Sequence, residues 1–259
     1  MTTIDLSNRT AVVTGGASGI GKATAILLAK HGARVFIGDY RLDSANDVLF
    51  QELGIQQQEC DVRDITAIAR LVDGAAEQTG RLDILVNNAG IAMVKPIHDV
   101  SEEDWDNCLD TNLKAAFFGC KVAIPHMKDG GAIVNTASNA GLLPRAHDPV
   151  YSISKMSLVA LTKSLALCHA GDRIRINCVC PGPVGDTGMV NADLDKAADR
   201  EAEAKKFIGA SPLAAAYDRM ISPEEIAESI LYLVSDASVM VTGTALAIDG
   251  GKSLGVPPK

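Results

Sequence analysis

Thr10-Ala11-Val12-Val13-Thr14-Gly15-Gly16-Ala17-Ser18-Gly19-Ile20-Gly21-Lys22 decides the fold. Five residues of strand character run into a glycine-rich turn, which leads straight into an Ala/Leu-rich stretch ending at Lys30. Glycines at 15, 19 and 21 permit a tight turn and let the backbone approach a pyrophosphate. That group then sits on the N–H groups and positive dipole end of the following helix. Strand-to-helix turns often carry a glycine or two for no such purpose, so context decides. An acid, Asp39, follows 18 residues beyond Gly21 at the end of the second strand pattern. A carboxylate there can accept hydrogen bonds from both hydroxyls of an adenosine ribose and repels a 2′-phosphate, which favours NAD over NADP. Arg41 argues the other way, because it could pair with a 2′-phosphate. Ser18 stands where a basic residue would have favoured NADP.

Outward from this turn, short β-branched runs alternate with longer Ala/Leu-rich stretches, the rhythm of βαβ units. Strands are expected at 10–14, 34–39, 55–60, 84–87, 132–136, 175–179 and 245–248, and helices at 19–31, 43–52, 65–79, 102–127, 151–170 and 223–234. Several strands are apolar throughout, as they must be when helices cover both faces. Ser222-Pro223-Glu224-Glu225 supplies an N-cap, a first-turn proline and early acids for the last helix. The expectation is an α/β fold: a Rossmann-type doubly wound, mostly parallel, seven-stranded sheet with helices on both faces. The chain has 259 residues, and α/β folds of about 250 residues often form one unit, so a single domain over 1–259 is expected. Within it, 183–220 has no convincing strand and reads as a helical excursion, either a solvated surface helix or a substrate lid.

Composition narrows the partners. Hydrophobic residues make up 47% and charged residues 22%, and Lys+Arg 24 against Asp+Glu 32 leaves a net charge of −8. An acidic balance without a Lys/Arg block speaks against nucleic acid and anionic membrane surfaces. No apolar run approaches the ~18 residues a bilayer span needs. Met1 to Thr10 mixes Asp5, Asn8 and Arg9 with polar residues instead of forming an apolar export signal. A cytoplasmic protein is expected. The six cysteines are scattered through the chain, as suits buried thiols in a reducing compartment. Cys178 and Cys180 share a strand face, but no ligand set accompanies them, and His31, His98, His126 and His169 form no cluster. No metal is expected.

Further along the chain come Asn87-Asn88-Ala89-Gly90 after the fourth strand, Ser138 after the fifth, Tyr151-Ser152-Ile153-Ser154-Lys155, Pro181-Gly182 after the sixth and Asp249-Gly250-Gly251 after the seventh. With the glycine turn, their order and spacing resemble the short-chain dehydrogenase/reductase family from Asn8 to about Ser253. The chemistry can be argued beside the resemblance. Tyr151 and Lys155 are four apart and share one helix face. A free tyrosine has a pKa of about 10, and a neighbouring ammonium that stabilises the phenolate lowers it towards the working range of a general base. Ser138 ends a strand on the side where open α/β sheets place ligands, and its hydroxyl can hold a substrate oxygen as charge develops.

The resemblance implies roles for named residues. Tyr151 would be the general acid/base and Ser138 would position the substrate carbonyl or hydroxyl. Lys155 would also bind the nicotinamide ribose, and Asn112 would hold a water linking Lys155 to solvent. Asp61 and Val62 resemble the adenine contacts, Asn88 and Gly90 the adenosine-side floor of the cleft, and Ile20 the residue whose backbone meets the pyrophosphate. After Pro181-Gly182 the family has a valine or isoleucine followed two residues later by a threonine that bind the nicotinamide carboxamide. Val184 fits, but Gly185-Asp186 puts Thr187 three residues on. In the substrate-bordering loop, Asn139, Arg145 and His147 would favour a polar or anionic substrate, with Leu142, Leu143 and Met189 covering an apolar part.

The resulting expectation is an NAD-dependent oxidoreductase interconverting a secondary alcohol and a ketone. An NADP-dependent carbonyl reductase and a non-catalytic dinucleotide-sensing or scaffold protein are the alternatives. The resemblance also implies a homotetramer or homodimer built on the two long helices. Phe117, Phe118, Leu158, Leu161 and Leu165 are either interface or ordinary core residues.

Overall fold

A computed structural model describes residues 4–255. The start of the Met1–Thr10 stretch read for an export signal, and both ends of the 1–259 unit, lie outside them. In chain order the elements are β1 (Thr10–Thr14), α1 (Gly19–Lys30), β2 (Arg34–Asp39), α2 (Asp47–Glu52), β3 (Gln56–Glu59), α3 (Ile65–Thr79), β4 (Ile84–Asn87), α4 (Glu102–Leu109) and α5 (Ala115–Ala123). They continue through β5 (Gly131–Thr136), α6 (Pro149–His169), β6 (Ile174–Pro181), α7 (Gly188–Lys196), α8 (Arg200–Gly209), α9 (Pro212–Tyr217), α10 (Pro223–Val234) and β7 (Ala245–Ile248).

The seven strands form one sheet in the order β3-β2-β1-β4-β5-β6-β7, and every neighbouring pair is parallel. This is the expected doubly wound Rossmann-type architecture. Side chains alternate across a strand, and the alternation divides the core in two. Ala11, Val13, Val35, Ile37, Ile84, Val86, Ala132 and Val134 pack on one face with residues of α1 and α10. Val12, Phe36, Leu85 and Ile133 pack on the other with α3 and α5. Cys178 and Cys180, expected to share a face, both enter a third cluster with Leu158 and Val159 of α6. The edge strand β3 is the polar run Gln56-Gln57-Gln58-Glu59, chemistry that discourages edge pairing. It is shorter than the expected 55–60, whereas β6 is longer than the expected 175–179 and carries on to Pro181.

Two helix ends are set by local chemistry. Ser222 accepts from the Glu225 N–H while the Glu225 carboxylate accepts from the Ser222 N–H, with Pro223 in the first turn of α10. Ser101 and Asp104 make the same box at α4. The strand order reverses between β1 and β4, so a crevice opens at the carboxyl ends of these strands, the usual ligand position in such sheets. No helix among the described residues is long and apolar enough to cross a membrane.

Candidate active site

The glycine turn closes on the end of β4. Gly15 and Gly19 adopt φ of +65° and +50°, the left-handed region that an L side chain resists. A Cβ on Gly15 would stand 2.9 Å from the Ala89 Cα, and one on Gly21 would collide with the Gly15 carbonyl oxygen. Asn88 secures this approach: its Nδ2 donates to the carbonyls of Thr14 and Gly15 at 3.1 and 3.0 Å, and its backbone N–H donates to Thr14 Oγ1 at 3.1 Å. The Asp39 carboxylate accepts from the N–H of Ala17 at 3.0 Å and of Arg41 at 3.1 Å. Two donors on four lone-pair positions leave it capacity for a further donor. Asn46, on the connection into α2, donates to the Ala17 carbonyl at 2.9 Å.

Ser18, the exposed N-cap of α1, makes no side-chain cap, and the first turn holds no acid. The leading N–H groups and the dipole of α1 are thus left for an anion. Thr187 stands opposite, its Cγ2 3.3 Å from where a Gly19 Cβ would be. The extra residue after Pro181-Gly182 is taken up at Asp186, in the left-handed conformation at φ +53°. Gly185 N–H bonds to the Ile221 carbonyl at 2.9 Å, beside the bridge between Val184 and Ile221. Thr187 then caps α7 and its hydroxyl donates to the Val184 carbonyl at 2.9 Å. Gly182 sits against Asp249, whose Cα would be 2.9 Å from a Gly182 Cβ. A close-approach backbone, an uncapped helix start and a free carboxylate position are what a dinucleotide requires, so the residues present fit one.

The catalytic candidates converge from three elements. Ser138 follows β5, Tyr151 and Lys155 lie one turn apart on α6, and Asn112 comes from the segment between α4 and α5. A Cβ on Gly90 would lie 3.1 Å from Asn112 Oδ1, 3.3 Å from Lys155 Nζ and 3.7 Å from Met189 Cε, so all three reach the same point above the end of β4. The segment expected as one helix over 102–127 is interrupted there by a π-helical turn, Asp110–Lys114. The Asn112 amide is bound in both senses by Ile91: its Oδ1 accepts from the Ile91 N–H at 2.8 Å and its Nδ2 donates to the Ile91 carbonyl at 3.0 Å. Nδ2 also donates to Ser154 Oγ at 3.1 Å, and Ser154 Oγ donates to the Tyr151 carbonyl at 2.7 Å.

Lys155 is buried and its Nζ donates to the Thr136 carbonyl at 2.9 Å, 5.8 Å from the centre of the Tyr151 ring. Burial pulls its pKa down to about 8. Tyr151 is also buried, and burial pushes its phenol above the ordinary value, against the opposing pull of the Ser138 hydroxyl and the Arg145 charge. The i,i+4 spacing points to an ammonium that lowers the phenol pKa. In the structure desolvation outweighs the neighbouring groups, and the ammonium is spent on a strand carbonyl.

The sequence and the fold match a known family. Residues 15–253 match the family model described as enoyl-(acyl carrier protein) reductase. The chain is a short-chain dehydrogenase/reductase. It is similar to a cis-4-hydroxycyclohexanecarboxylate dehydrogenase of Sinomonas cyclohexanicum, 40% identical over 252 residues, 95% of this chain and 96% of that one. It is also 36% identical over 258 residues to a D-threitol dehydrogenase of Mycolicibacterium smegmatis, 96% of this chain and 94% of that one. A crystal structure of a short-chain type dehydrogenase/reductase from Mycobacterium marinum superposes with a TM-score of 0.86 at 32% identity, covering 96% of this chain and 97% of that one.

Other expected residues of this short-chain dehydrogenase/reductase sort by their surroundings. Ile20 packs against the α1-side core, and Val62 is buried in the α3-side core. Asp61 is clamped by Arg63, whose Nη2 and Nε reach its oxygens at 2.7 and 3.0 Å; the guanidinium holds the carboxyl below its usual range. Leu143 and His147 are exposed on the loop before α6, and Asn139 is buried beside Ser138. Sequence reasoning missed how that loop is fastened. Arg145 donates through Nη1 to the buried Asp148 at 2.8 Å and through Nη2 to Asn139 Oδ1 at 3.5 Å, and its Cζ lies 5.4 Å from the Tyr151 ring centre. The only sequence signal was an arginine three residues before an aspartate in a loop.

Proposed function

We propose that this short-chain dehydrogenase/reductase interconverts a secondary alcohol and a ketone with NAD, using Asn112, Ser138, Tyr151 and Lys155. The observation that carries the reading is the meeting of Asn112 and Lys155 at Gly90, one helical turn from Tyr151, whose hydroxyl is within hydrogen-bond reach of Ser138. Gly15, Ser18, Gly19, Ile20, Gly21, Asp39, Asn88, Gly90, Pro181, Gly182, Val184 and Thr187 would hold the dinucleotide. Its nicotinamide supplies the hydride acceptor or donor. In oxidation, Tyr151 Oη takes the carbinol proton while Ser138 Oγ holds the same oxygen and steadies the charge that develops there. Lys155, drawn from the Thr136 carbonyl, stabilises the phenolate form of Tyr151. In reduction the proton returns from Tyr151 to the carbonyl oxygen. Relatives named for a hydroxycyclohexanecarboxylate and for threitol agree with an alcohol substrate.

Asp39 supports NAD: its carboxylate already turns towards the glycine turn through the Ala17 N–H. A specific observation keeps NADP as the second reading. The Arg41 guanidinium lies 5.6 Å over the exposed Tyr40 ring, two residues from Asp39, and enters no ion pair among the described residues. Fluorescence titration with NADH and NADPH separates the two, with tighter NADH binding expected. For the chemistry, Tyr151→Phe is expected to leave NADH binding within a few-fold while lowering turnover of an alcohol and ketone panel by about 10²-fold or more. The panel includes 4-hydroxycyclohexanecarboxylate and its methyl ester. Near-normal turnover of the variant overturns the mechanism.

We further read the chain as one cytoplasmic domain with a substrate lid at about 183–220, assembling as a homotetramer or homodimer. Leu158 is core and Leu165 packs on the core, but Leu161, Phe117 and Phe118 line a surface groove with Leu109 and Leu113, which supports an interface there.

A further inference from the structure

Between Ser138 and Tyr151 the chain makes a loop whose one cation lies against the proposed general base. The Arg145 guanidinium sits 5.4 Å from the Tyr151 ring centre, and its side chain is 38% exposed. It is held in one orientation: Asp148 and Asn139 take Nη1 and Nη2, and the Arg145 backbone N–H donates to Ser152 Oγ at 3.2 Å. A guanidinium carries five N–H donors in a fixed plane, so most of the fork remains for a ligand. Lys252 follows Asp249-Gly250-Gly251, is half-buried and enters no ion pair among the described residues. Burial first, and then the positive charge of Arg145, lower its pKa, while the carboxylates of Asp249 and Asp148 pull the other way.

The anions nearby are withdrawn from the surface. Asp148 and Asp249 are each 3% exposed. Asp148 is paired to Arg145, and the Asp249 oxygens accept from the N–H groups of Gly251 and Ser253 at 2.9 and 2.8 Å. What this loop presents beside Tyr151 is therefore the remaining N–H groups of Arg145. Leu142 and Leu143, on the same loop as Arg145, are 37% and 47% exposed. The open N–H groups of a half-exposed guanidinium suit an anion, and exposed leucines on the same loop suit an apolar body that carries it. A planar guanidinium fork matches a carboxylate.

We propose that the substrate is a small hydroxy acid, with its oxo acid as product, whose carboxylate is bound by the open N–H groups of Arg145. This substrate class rests on the alcohol–ketone reading above. The test compares hydroxy acids with their methyl esters. In the wild type kcat/KM for the acid should exceed that for the ester by about tenfold or more, the scale of one charged hydrogen-bonded contact. Arg145→Gln should lower that ratio by a similar factor, and Arg145→Lys should restore part of it. Losing the arginine leaves Asp148 as an uncompensated buried charge, so the double variant Arg145→Gln/Asp148→Asn keeps the test usable if the single variant does not fold. Equal turnover of acid and ester by the wild type, or an unchanged ratio in the variants, overturns the proposal. Unreactive cyclohexanecarboxylate and its methyl ester supply an independent readout by thermal shift. Protection by the acid alone, with no alcohol or ketone turned over by either nucleotide, would retain the anion site and remove the redox reading. Turnover of neutral alcohols without acid protection would do the reverse.

Discussion

Lys155 keeps its ammonium on the carbonyl of Thr136, in surroundings that disfavour the charge it carries. The consequence for stability has a definite sign. Its folded pKa of about 8 lies below the ordinary 10.5, so between those values the unfolded chain binds a proton that the folded chain lacks. Stability therefore rises with pH across that window, and below it the cost of burying the ammonium is full and constant. The full effect is on the order of 3 kcal/mol, because each pH step of one across the window contributes about 1.4 kcal/mol. Chemical denaturation of the wild type and Lys155→Met from pH 7 to 10.5 is expected to show the difference moving in favour of the wild type only above about pH 8. A pH-independent difference would contradict the burial argument. Residue spacing of four made the Tyr151 and Lys155 pairing legible in the sequence, because it depends only on helix geometry. Their pKa directions were not legible, since desolvation depends on everything packed around them. The Arg145 contact with Tyr151 was likewise hidden, because the loop path that produces it is not periodic.

Asn112 shows the same limit for an element. Apolar periodicity predicts one helix over 102–127, and the chain is helical through most of it, but a π-helical turn separates α4 from α5. Such turns recur at functional sites, and here the side-chain amide pairs with both backbone groups of Ile91. Asn112→Ala would leave two backbone groups of a partly buried segment without partners, a loss of about 1–3 kcal/mol for each that water cannot reach. The expected outcome is a lower denaturation midpoint together with faster amide exchange at Ile91 than at residues of α3. Equal exchange at the two places would show that the pairing does not hold the Ile91 segment. The glycine turn, in contrast, was readable as a whole element: strand, turn and helix are contiguous, and each glycine answers a local demand. The start of α10 belongs to the same class, with its N-cap serine, first-turn proline and early acids.

Across the molecule, the order of motifs foretold the sheet because each lies at a strand end, and alternating strand residues supply the two cores. Assembly is not encoded so locally. Five apolar side chains on the two long helices could not be assigned to core or surface from sequence. Folding separates Leu158, at 1% exposure, from Phe117, at 45%. If the groove beside Phe117 is an interface, Phe117→Glu should lower the mass measured by light scattering while Leu167→Glu, a control at 83% exposure on the same long helix as Leu158, leaves it unchanged. An equal mass for Phe117→Glu and the wild type removes that interface. The turn at Asp186 has a meaning of its own. One added residue there rises out of line and returns Thr187 to face Gly19, whereas one added inside a strand would exchange the sides that its following residues face. A pattern search that counts residues after Pro181-Gly182 would therefore pass over Thr187, although the path of the chain brings it to face Gly19.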